Sequence, residues 1–219
     1  MCVDKMYERM KQIIVTILLC ATALIGLRLA TKSTEKAPQT VREAIEGRRS
    51  IRQYEEREVE REKLQQIAEC GVLAPSAMNR QEWELRIVSS KAWIDRCTAA
   101  FVEQVKGTPL GDHLLTADFK NMFRNAPAVI FVAAKPSAYA GVNVGLLGEN
   151  MMLAAYELGL GTCCLGSPVG FLNSEAGSQF LASLGFSEEY VLQYALAVGY
   201  PAEEPEAKPR DMSKIVFVE

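Results

Sequence analysis

The stretch from Val142 to Leu158 carries apolar residues almost all the way round a helical wheel. A helix that is apolar on every side has to be covered on every side, so the pattern predicts a buried central helix. Gly159-Leu160-Gly161 predicts its end, and its methionines are predicted to fill the core rather than bind a ligand. At 219 residues the chain is long enough for one domain that encloses such a helix.

The rest of the chain predicts a mixture of helices and strands. Thr40 followed by Glu43 is a capping box and predicts a helix that ends at Gly47. Helical spacing predicts three more helices, over residues 64–73, 94–105 and around 180–184. Apolar runs predict five strands: 85–88, 129–133, a short strand that begins at 162, 191–198, and a terminal strand at 215–218.

The charge of the chain argues against nucleic acid as a partner. The sequence has 24 Lys and Arg against 27 Asp and Glu, and residues 38–219 alone hold 18 against 24. Affinity for nucleic acid comes largely from the neutralisation of phosphates, which an acidic domain does poorly. Any anion site in this chain is therefore predicted to be local.

Cysteine and histidine usage excludes several kinds of site. The chain has one histidine, His113, and no C-x-x-C pair, so neither a zinc site nor a Ser-His-Asp or Cys-His apparatus is predicted. The dinucleotide-binding G-x-G-x-x-G and the nucleotide-binding G-x-x-x-x-G-K-[ST] are also absent. Free, buried thiols are the predicted state of the six cysteines: Cys2, Cys20, Cys70, Cys97, Cys163 and Cys164.

The amino-terminal segment is typical of an export signal or a short membrane anchor. Residues 13–27 carry almost no polar side chain and follow Lys5, Arg9 and Lys11. About fifteen apolar residues are short for a membrane-spanning helix and suit the apolar region of a signal peptide. We therefore expect residues 1–37 to be a leader and linker, and the protein to be exported or membrane-anchored; it would be cytoplasmic if the segment is not a working signal.

Three arginines and a serine are concentrated in Arg48-Arg49-Ser50-Ile51-Arg52, directly after the first helix. Guanidinium groups donate in a planar fork that matches phosphate or carboxylate oxygens, so the cluster is a candidate anion site. Taken alone, it is more typical of a solvated basic surface than of an anion site. A second basic group, Lys208-Pro209-Arg210, lies near the carboxyl terminus.

The order of four motifs resembles the FMN-dependent nitroreductase family. R-R-S-I-R follows the capped helix, A-P-S-A-M-N-R-Q-E-W leads into a strand, L-G-L-G-T precedes a cysteine-containing strand, and K-P-R comes near the end. The resemblance covers residues 41–219 and leaves out the leader. It implies an α+β fold, a three-layer α/β/α sandwich with a mostly antiparallel central sheet, in an intertwined homodimer that binds FMN at the interface.

The resemblance also implies a role for individual residues. Arg48 and Arg49 would hold the FMN phosphate, Ser50 the ribityl chain, and Lys208 and Arg210 would close over the same phosphate. Arg52 would lie near the pyrimidine edge of the flavin. The partner subunit would supply the loop with Pro75, Ser76, Asn79 and Gln81, and Asn79 would hydrogen-bond the ring edge. Cys164, Leu165 and Gly166 would also bind the cofactor, and the backbone of Gly166 would approach the central-ring nitrogen.

The activity that the resemblance implies is hydride transfer from NADH or NADPH, through FMN, to a small-molecule acceptor such as a nitroaromatic or a quinone. Phe119, Phe123 and Tyr139 are candidates to line the acceptor pocket. Glu82 stands where the family commonly has proline, and we expect it to point to solvent. Two alternatives stay open: a flavin enzyme of the same fold that dehalogenates or destroys flavin, and a non-catalytic flavin carrier at a membrane.

Overall fold

The computed structural model describes residues 40–219 of the chain. Its sheet has four antiparallel strands in the order β1, β2, β4, β3. The strands are β1 Trp83–Val88, β2 Ala128–Ala134, β3 Gly161–Leu165 and β4 Val191–Gly199. β2 and β4 are the central pair, and every residue of β2 is buried, because both faces of the sheet are covered. The four predicted strands within residues 85–198 are therefore confirmed.

Helices connect and cover the strands. The capping box is formed: Glu43 N donates to Thr40 Oγ1 over 3.1 Å, and Thr40 N donates to Glu43 Oε2 over 3.0 Å. The described helices are α1 Val41–Gly47, α2 Arg61–Val72, α3 Lys91–Val105, α4 Pro109–Leu114, α5 Ala140–Glu157, α6 Ser167–Leu172 and α7 Ser178–Ser183. Short 3₁₀ turns occur at Ala77–Asn79 and Met212–Lys214.

The core has two parts, one on each face of the sheet. Successive residues of β2 point to opposite faces, so Val129 and Phe131 join one apolar cluster while Ile130 and Val132 join the other. The first cluster packs the sheet against α3, α6 and α7, and the second packs it against α2 and α5. This arrangement of helix, sheet and helix layers confirms the predicted three-layer α+β sandwich.

The central helix α5 is buried on one side and open on the other. Leu147 and Met151 are fully buried, as predicted. Val142 and Leu146 are 59% and 43% exposed, and Gly145 between them has no atom within 4 Å of the position a Cβ would take. The prediction of burial all round is therefore wrong for the single chain, because no described element packs against this side of α5.

The carboxyl-terminal tail, residues 201–219, has little regular structure. The predicted terminal strand does not form: Ile215, Val216, Phe217 and Val218 are 70–93% exposed and pair with no strand in the described part of the chain. A strand needs a neighbour to take up its backbone hydrogen bonds, and the described chain offers none here.

Two predictions concern residues before Thr40 and lie outside the described residues: the leader at 1–37 and the start of the domain at residue 38. Within residues 40–219, no helix is both long and apolar enough to cross a membrane.

Candidate functional site

The basic segment, residues Arg48–Arg52, lies along the free edge of β3. Ser50 forms a parallel bridge with Thr162, and Ile51 N donates to Thr162 O over 2.9 Å. A Cβ on Gly161 would stand 2.6 Å from Ile51 Cγ1, so glycine is required there for this close approach. The basic segment is thereby fixed beside the strand that leads to Gly166.

Arg48 and Arg49 are held by different contacts. Arg48 Nε donates to Glu149 Oε1 of α5 over 3.1 Å, which forms an ion pair. Arg49 Nη1 donates to the carbonyl oxygens of Glu46 and Arg48 over 2.6 and 2.8 Å. Both side chains keep further N–H groups that can donate to an anion.

Arg52 is positioned from the carboxyl-terminal tail. The carboxylate of Glu203 accepts hydrogen bonds from the backbone N–H groups of Arg52 and, over 3.1 Å, of Gln53. The guanidinium of Arg52 donates from Nη1 to Ser50 O over 3.0 Å. Tyr54 completes the turn because its hydroxyl donates to Ile51 O over 2.7 Å, and burial raises the pKa of that hydroxyl.

The Ser76 loop, residues 75–81, has a strained backbone. Met78, Asn79 and Gln81 have positive φ angles of 54°, 53° and 51°, which non-glycine residues rarely adopt. Gln81 N donates to Ser76 Oγ over 3.0 Å, and Ala77 N donates to the buried Asn143 Oδ1 of α5 over 3.1 Å. Clustered strain of this kind is typical of functional loops.

The side chains of the Ser76 loop are available to a ligand. Asn79 Oδ1 accepts from Gln81 Nε2 over 3.2 Å, and its Nδ2 has no acceptor in the part of the chain that the structure describes. Pro75, Asn79 and Gln81 are exposed, and Ser76 is half-buried.

The Gly166 loop, the single residue Gly166 between the end of β3 at Leu165 and the start of α6 at Ser167, follows β3 directly. Gly166 is exposed, and a Cβ there would meet nothing within 4 Å, so the chain itself gives no steric reason for glycine. The missing side chain leaves its backbone open to a neighbour. Leu165 is buried in the core, so it can present only its backbone at this place.

The two adjacent cysteines point in opposite directions. Cys163 is buried, whereas Cys164 is exposed, so the prediction of buried thiols is wrong for Cys164. Alternation along a strand requires this, because neighbouring side chains lie on opposite faces. Burial raises the pKa of the Cys163 thiol, and the positive charges of Arg52 and Arg124 partly offset that shift.

Lys208 and Arg210 do not meet the basic segment within the chain. Both are exposed on the carboxyl-terminal tail, and Arg210 Nη1 donates only to Lys208 O, over 3.0 Å. In the described residues no hydrogen bond or ion pair joins either side chain to Arg48, Arg49 or Ser50. Their role over a shared phosphate stays a prediction that needs a second chain.

A cavity of about 160 Å³ opens beside the basic segment and the Gly166 loop. Arg52 and Ser167 both border it. Its lining is mixed. The apolar lining residues are Phe101, Leu110, Leu114, Phe119, Met122 and Pro168; the polar ones include Thr116, Asp118, Asn121, Arg124 and Asn125.

The structure separates the three aromatic candidates for the acceptor pocket. Phe119 lines the cavity. Phe123 is fully buried in the core, so it does not line the pocket. Tyr139 is exposed at the start of α5 and does not border this cavity, so its place at the acceptor pocket stays a prediction that needs a second chain. Glu82 is half-buried; its charge adds to the raised pKa of Lys135, which is due chiefly to a hydrogen bond with Glu189.

Sequence reasoning missed three residues that position the site: Glu149, Asn143 and Glu203. The first two are polar residues in an otherwise apolar helix, a signal that could have marked them as contacts for other segments. Glu203 belongs to an acidic stretch with no distinguishing pattern. Arg124 was also missed, because nothing in the sequence places it on the wall of a cavity.

Three comparisons agree with this geometry. The model of the nitroreductase family matches residues 45–200. A candidate NADH dehydrogenase/NAD(P)H nitroreductase of Archaeoglobus fulgidus is 31% identical over 166 residues, which is 73% of this chain and 84% of that protein. A nitroreductase structure with bound FMN from Desulfitobacterium hafniense is 28% identical with a TM-score of 0.73, over 82% of this chain and 98% of that one.

A second solved structure, a nitroreductase with bound FMN from Bacteroides fragilis, also has a TM-score of 0.73, over 83% of this chain and 100% of that one. Its 24% identity supports the fold alone. An antiparallel sheet between helical layers, with a basic segment fixed at the sheet edge, is thus the architecture of a flavoenzyme class. The chain belongs to the nitroreductase family, which confirms the predicted family.

Proposed function

We propose that this chain is an FMN-dependent oxidoreductase that uses NADH or NADPH to reduce an acceptor such as a nitroaromatic or a quinone. The observation that carries the proposal is the placement of the basic segment. Its bridge to β3 brings the arginines, the Gly166 loop and the cavity to one place. The names of the relatives above agree with this activity.

The residues present fit FMN. Arg48, Arg49 and Ser50 offer charge-assisted donors for a phosphate, and the open backbone at Gly166 lies at the end of the strand beside them. Bound FMN would supply the redox chemistry, taking two electrons and a proton from NAD(P)H and giving them to the acceptor. Arg52 provides a fixed positive charge next to the cavity, where negative charge develops during reduction.

The overall reaction balances with a single proton from solvent. A quinone, NAD(P)H and one proton give a hydroquinone and NAD(P)⁺; a nitroaromatic, NAD(P)H and one proton give a nitroso compound, NAD(P)⁺ and water. No side chain has to act as a nucleophile, which suits a chain with one histidine. The protein holds, orients and screens the reactants.

We also propose a homodimer with FMN at its interface. Val41 and Ile45 of α1 and Val142 and Leu146 of α5 are exposed apolar residues on two helices that contact each other, and the four are called here the apolar face. The exposed residues 215–218 of the tail add further apolar area. Uncovered apolar surface of this kind marks an interaction site.

The contacts of α5 also favour two chains per site. The basic segment attaches at Glu149 and the Ser76 loop at Asn143. Six residues separate them, about 9 Å along the helix and roughly 240° around it. The two segments of one chain therefore leave α5 in different directions, as expected if they serve different FMN molecules.

Export or membrane anchoring through residues 13–27 is a further part of the proposal. It rests on the sequence alone, on an apolar stretch preceded by lysine and arginine. Fractionation of cells that express the full chain or residues 38–219 tests it. The full chain should leave the soluble cytoplasmic fraction and the shorter chain should stay there; identical fractionation contradicts the idea.

The activity is tested with the full chain reconstituted with FMN. The protein should turn yellow, lose its visible flavin absorbance when NADH or NADPH is added without oxygen, and regain it when a quinone is added. A protein that stays colourless refutes the flavin assignment. A yellow protein that neither nucleotide bleaches is instead a flavin carrier.

A further inference from the structure

The cavity beside Arg52 has the size and lining for one substituted aromatic ring. An apolar cavity of about 150 Å³ holds a benzene molecule, and this one measures about 160 Å³. Phe101, Leu114 and Phe119 offer flat or branched apolar surface to a ring. The lining also contains polar residues, which can select the substituent that the ring carries.

Arg124, one of the polar lining residues, is held in an unusual backbone conformation. Its φ angle is 57° and that of Asn125 is 63°, so two consecutive non-glycine residues are left-handed. Residues other than glycine rarely adopt this left-handed backbone conformation, because their Cβ comes too close to the backbone. The energetic cost has to be offset by the surrounding contacts. An arginine in such a position is a candidate for a functional role.

The surroundings fix Arg124 through its neighbours. Asn125 Oδ1 accepts from Lys120 N and Asn121 N over 2.8 and 2.9 Å, and Asn125 Nδ2 donates to Asp118 O over 2.8 Å. Phe123, directly before Arg124, is fully buried. The backbone of Arg124 is thus set by contacts that its own side chain does not make.

The guanidinium of Arg124 has no assigned partner. It is exposed, and among residues 40–219 no acceptor forms a hydrogen bond or an ion pair with it. Arg52 lines the same cavity, and both arginines lower the pKa of the buried Cys163 thiol. Among the described residues, Asp118 is the one carboxylate that lines the cavity, and it accepts a hydrogen bond from Thr116 Oγ1 over 2.5 Å.

The charge of the cavity is therefore opposite to that of the protein. Two arginines and one aspartate leave the wall with a single positive charge, whereas residues 38–219 hold more acidic than basic side chains. A local positive site attracts anionic ligands even though the net charge of the protein is negative.

We propose that Arg124 recognises an anionic substituent, a carboxylate or sulfonate, on an aromatic or quinone acceptor whose ring packs against the apolar lining residues of the cavity. This inference rests on the proposed function, because it names the acceptor class of the same site. Arg124 acts as a specificity residue: it orients the acceptor by its charged end, and the ring lies toward Arg52 and Ser167.

The first test is binding, which needs no turnover. The full chain, loaded with FMN, is titrated calorimetrically with benzoate and with benzamide, which have nearly the same shape but differ in charge. The ratio of the two affinities should fall about tenfold in Arg124→Gln, as the loss of one charge-assisted hydrogen bond predicts. Arg96→Gln, an exposed arginine of α3 that does not border the cavity, is the matched control and should keep the wild-type ratio.

The second test is turnover of 4-nitrobenzoate and 4-nitrobenzamide. The kcat/KM ratio of these acceptors should fall by a similar factor in Arg124→Gln. An unchanged ratio in both tests overturns the proposal. A loss confined to flavin reduction by NADH or NADPH, measured without an acceptor, also overturns it, because the anion recognised would then be a phosphate of the nucleotide.

Failure of the proposed function gives a different result. If neither nucleotide reduces the flavin, the oxidoreductase assignment is refuted, yet the calorimetric ratio still decides whether Arg124 selects an anionic aromatic ligand.

Discussion

Each arginine of the basic segment has its own environment, and the differences have consequences for anion binding. Arg48 shares its guanidinium with Glu149, whereas Arg49 is directed by two backbone carbonyls. A phosphate bound at Arg48 has to share that side chain with a carboxylate. Glu149 therefore orients Arg48 but also weakens the electrostatic attraction between Arg48 and a bound anion.

Replacement of Arg48 by alanine should weaken FMN binding by roughly tenfold to a hundredfold, since a hydrogen bond to a charged group is worth about 1.5–3 kcal/mol. Fluorescence titration of apoprotein with FMN measures the dissociation constant. Arg42→Ala is the control, because Arg42 on α1 pairs with Glu46 at the surface. Equal FMN affinity in the Arg48 variant and the wild type would contradict the phosphate assignment.

At the scale of elements, the start of α2 is joined to the end of β4 by a polar network. Tyr200 OH donates to Glu60 Oε2 over 2.6 Å, Arg57 Nη2 donates to Glu60 Oε1 over 2.8 Å, and Lys63 Nζ donates to Tyr200 OH over 2.8 Å. The hydrogen bond from Tyr200, together with these cations, lowers the pKa of Glu60 to about 2. The folded protein therefore favours the charged carboxylate.

This network predicts a loss of stability in acid. A carboxylate with a lowered pKa stabilises the fold above its unfolded pKa, about 4.5, and that contribution disappears as the pH falls toward about 2. The urea concentration at the midpoint of unfolding, measured from pH 6 downward through pH 4.5, should fall less steeply with decreasing pH for Glu60→Gln than for the wild type. Glu62→Gln, in the first turn of α2, is the control and should show the same pH dependence of the urea midpoint as the wild type. A pH dependence of Glu60→Gln that equals that of the wild type would refute the prediction.

β3 presents its two thiols to different environments. Cys164 is exposed, whereas Cys163 and, on α3, Cys97 are buried. Burial raises the pKa of Cys97 to about 12 and also raises the pKa of Cys163 and of Cys164, so the two thiols of β3 differ in exposure and not in the direction of the pKa shift. Iodoacetamide at about pH 8.5 should alkylate Cys164 well before Cys97 or Cys163, because the reagent reaches the exposed thiol directly.

Peptide mass spectrometry distinguishes the sites, and saturation with FMN should protect Cys164. The half-buried Cys70 of α2 is the internal reference. Equal protection of Cys70 and Cys164 would argue against flavin beside β3.

The elements were predictable where local chemistry determines them. Thr40 and Glu43 define the start of α1, and apolar runs define the strands that pair within the chain. The tail at 215–218 has the same apolar composition but forms no strand, because pairing depends on a neighbour and not on the sequence of the segment itself. Because neighbouring side chains of a strand lie on opposite faces, the sequence already implied that Cys163 and Cys164 cannot both be buried on the same face of β3.

For the whole molecule, the exposed apolar face and the tail define the assembly that we propose. Leu146 and Val142 lie one helical turn apart on the open side of α5. A stable dimer would bury them, since contiguous apolar surface in water is unfavourable.

Leu146→Glu should therefore shift the molar mass measured by light scattering from a dimer toward a monomer and reduce FMN content. Val191→Glu is the control, because Val191 is comparably exposed at the first residue of β4. A wild-type protein that is monomeric at all concentrations, or a Leu146 variant that remains dimeric with full FMN content, would contradict the proposed interface.

The site was predictable from sequence only as a set of segments. The order of motifs identified the basic segment, the Ser76 loop and the Gly166 loop. In the structure, the basic segment pairs with β3 and the Gly166 loop follows the end of the same strand. Arg124 and Glu203 could not be found in this way, because their roles depend on backbone angles and on contacts between distant parts of the chain.

The bridge between Ser50 and Thr162 also lowers the free-energy cost of ordering the basic segment when a ligand binds. Because the basic segment is already fixed to the sheet, an incoming phosphate loses little affinity to the ordering of Arg48 and Arg49. Lys208 and Arg210 are on an extended tail without such contacts, and their ordering on binding is entropically unfavourable. If both groups bind the FMN phosphate as proposed, the basic segment contributes preorganised donors, whereas Lys208 and Arg210 contribute donors that have to be ordered on binding.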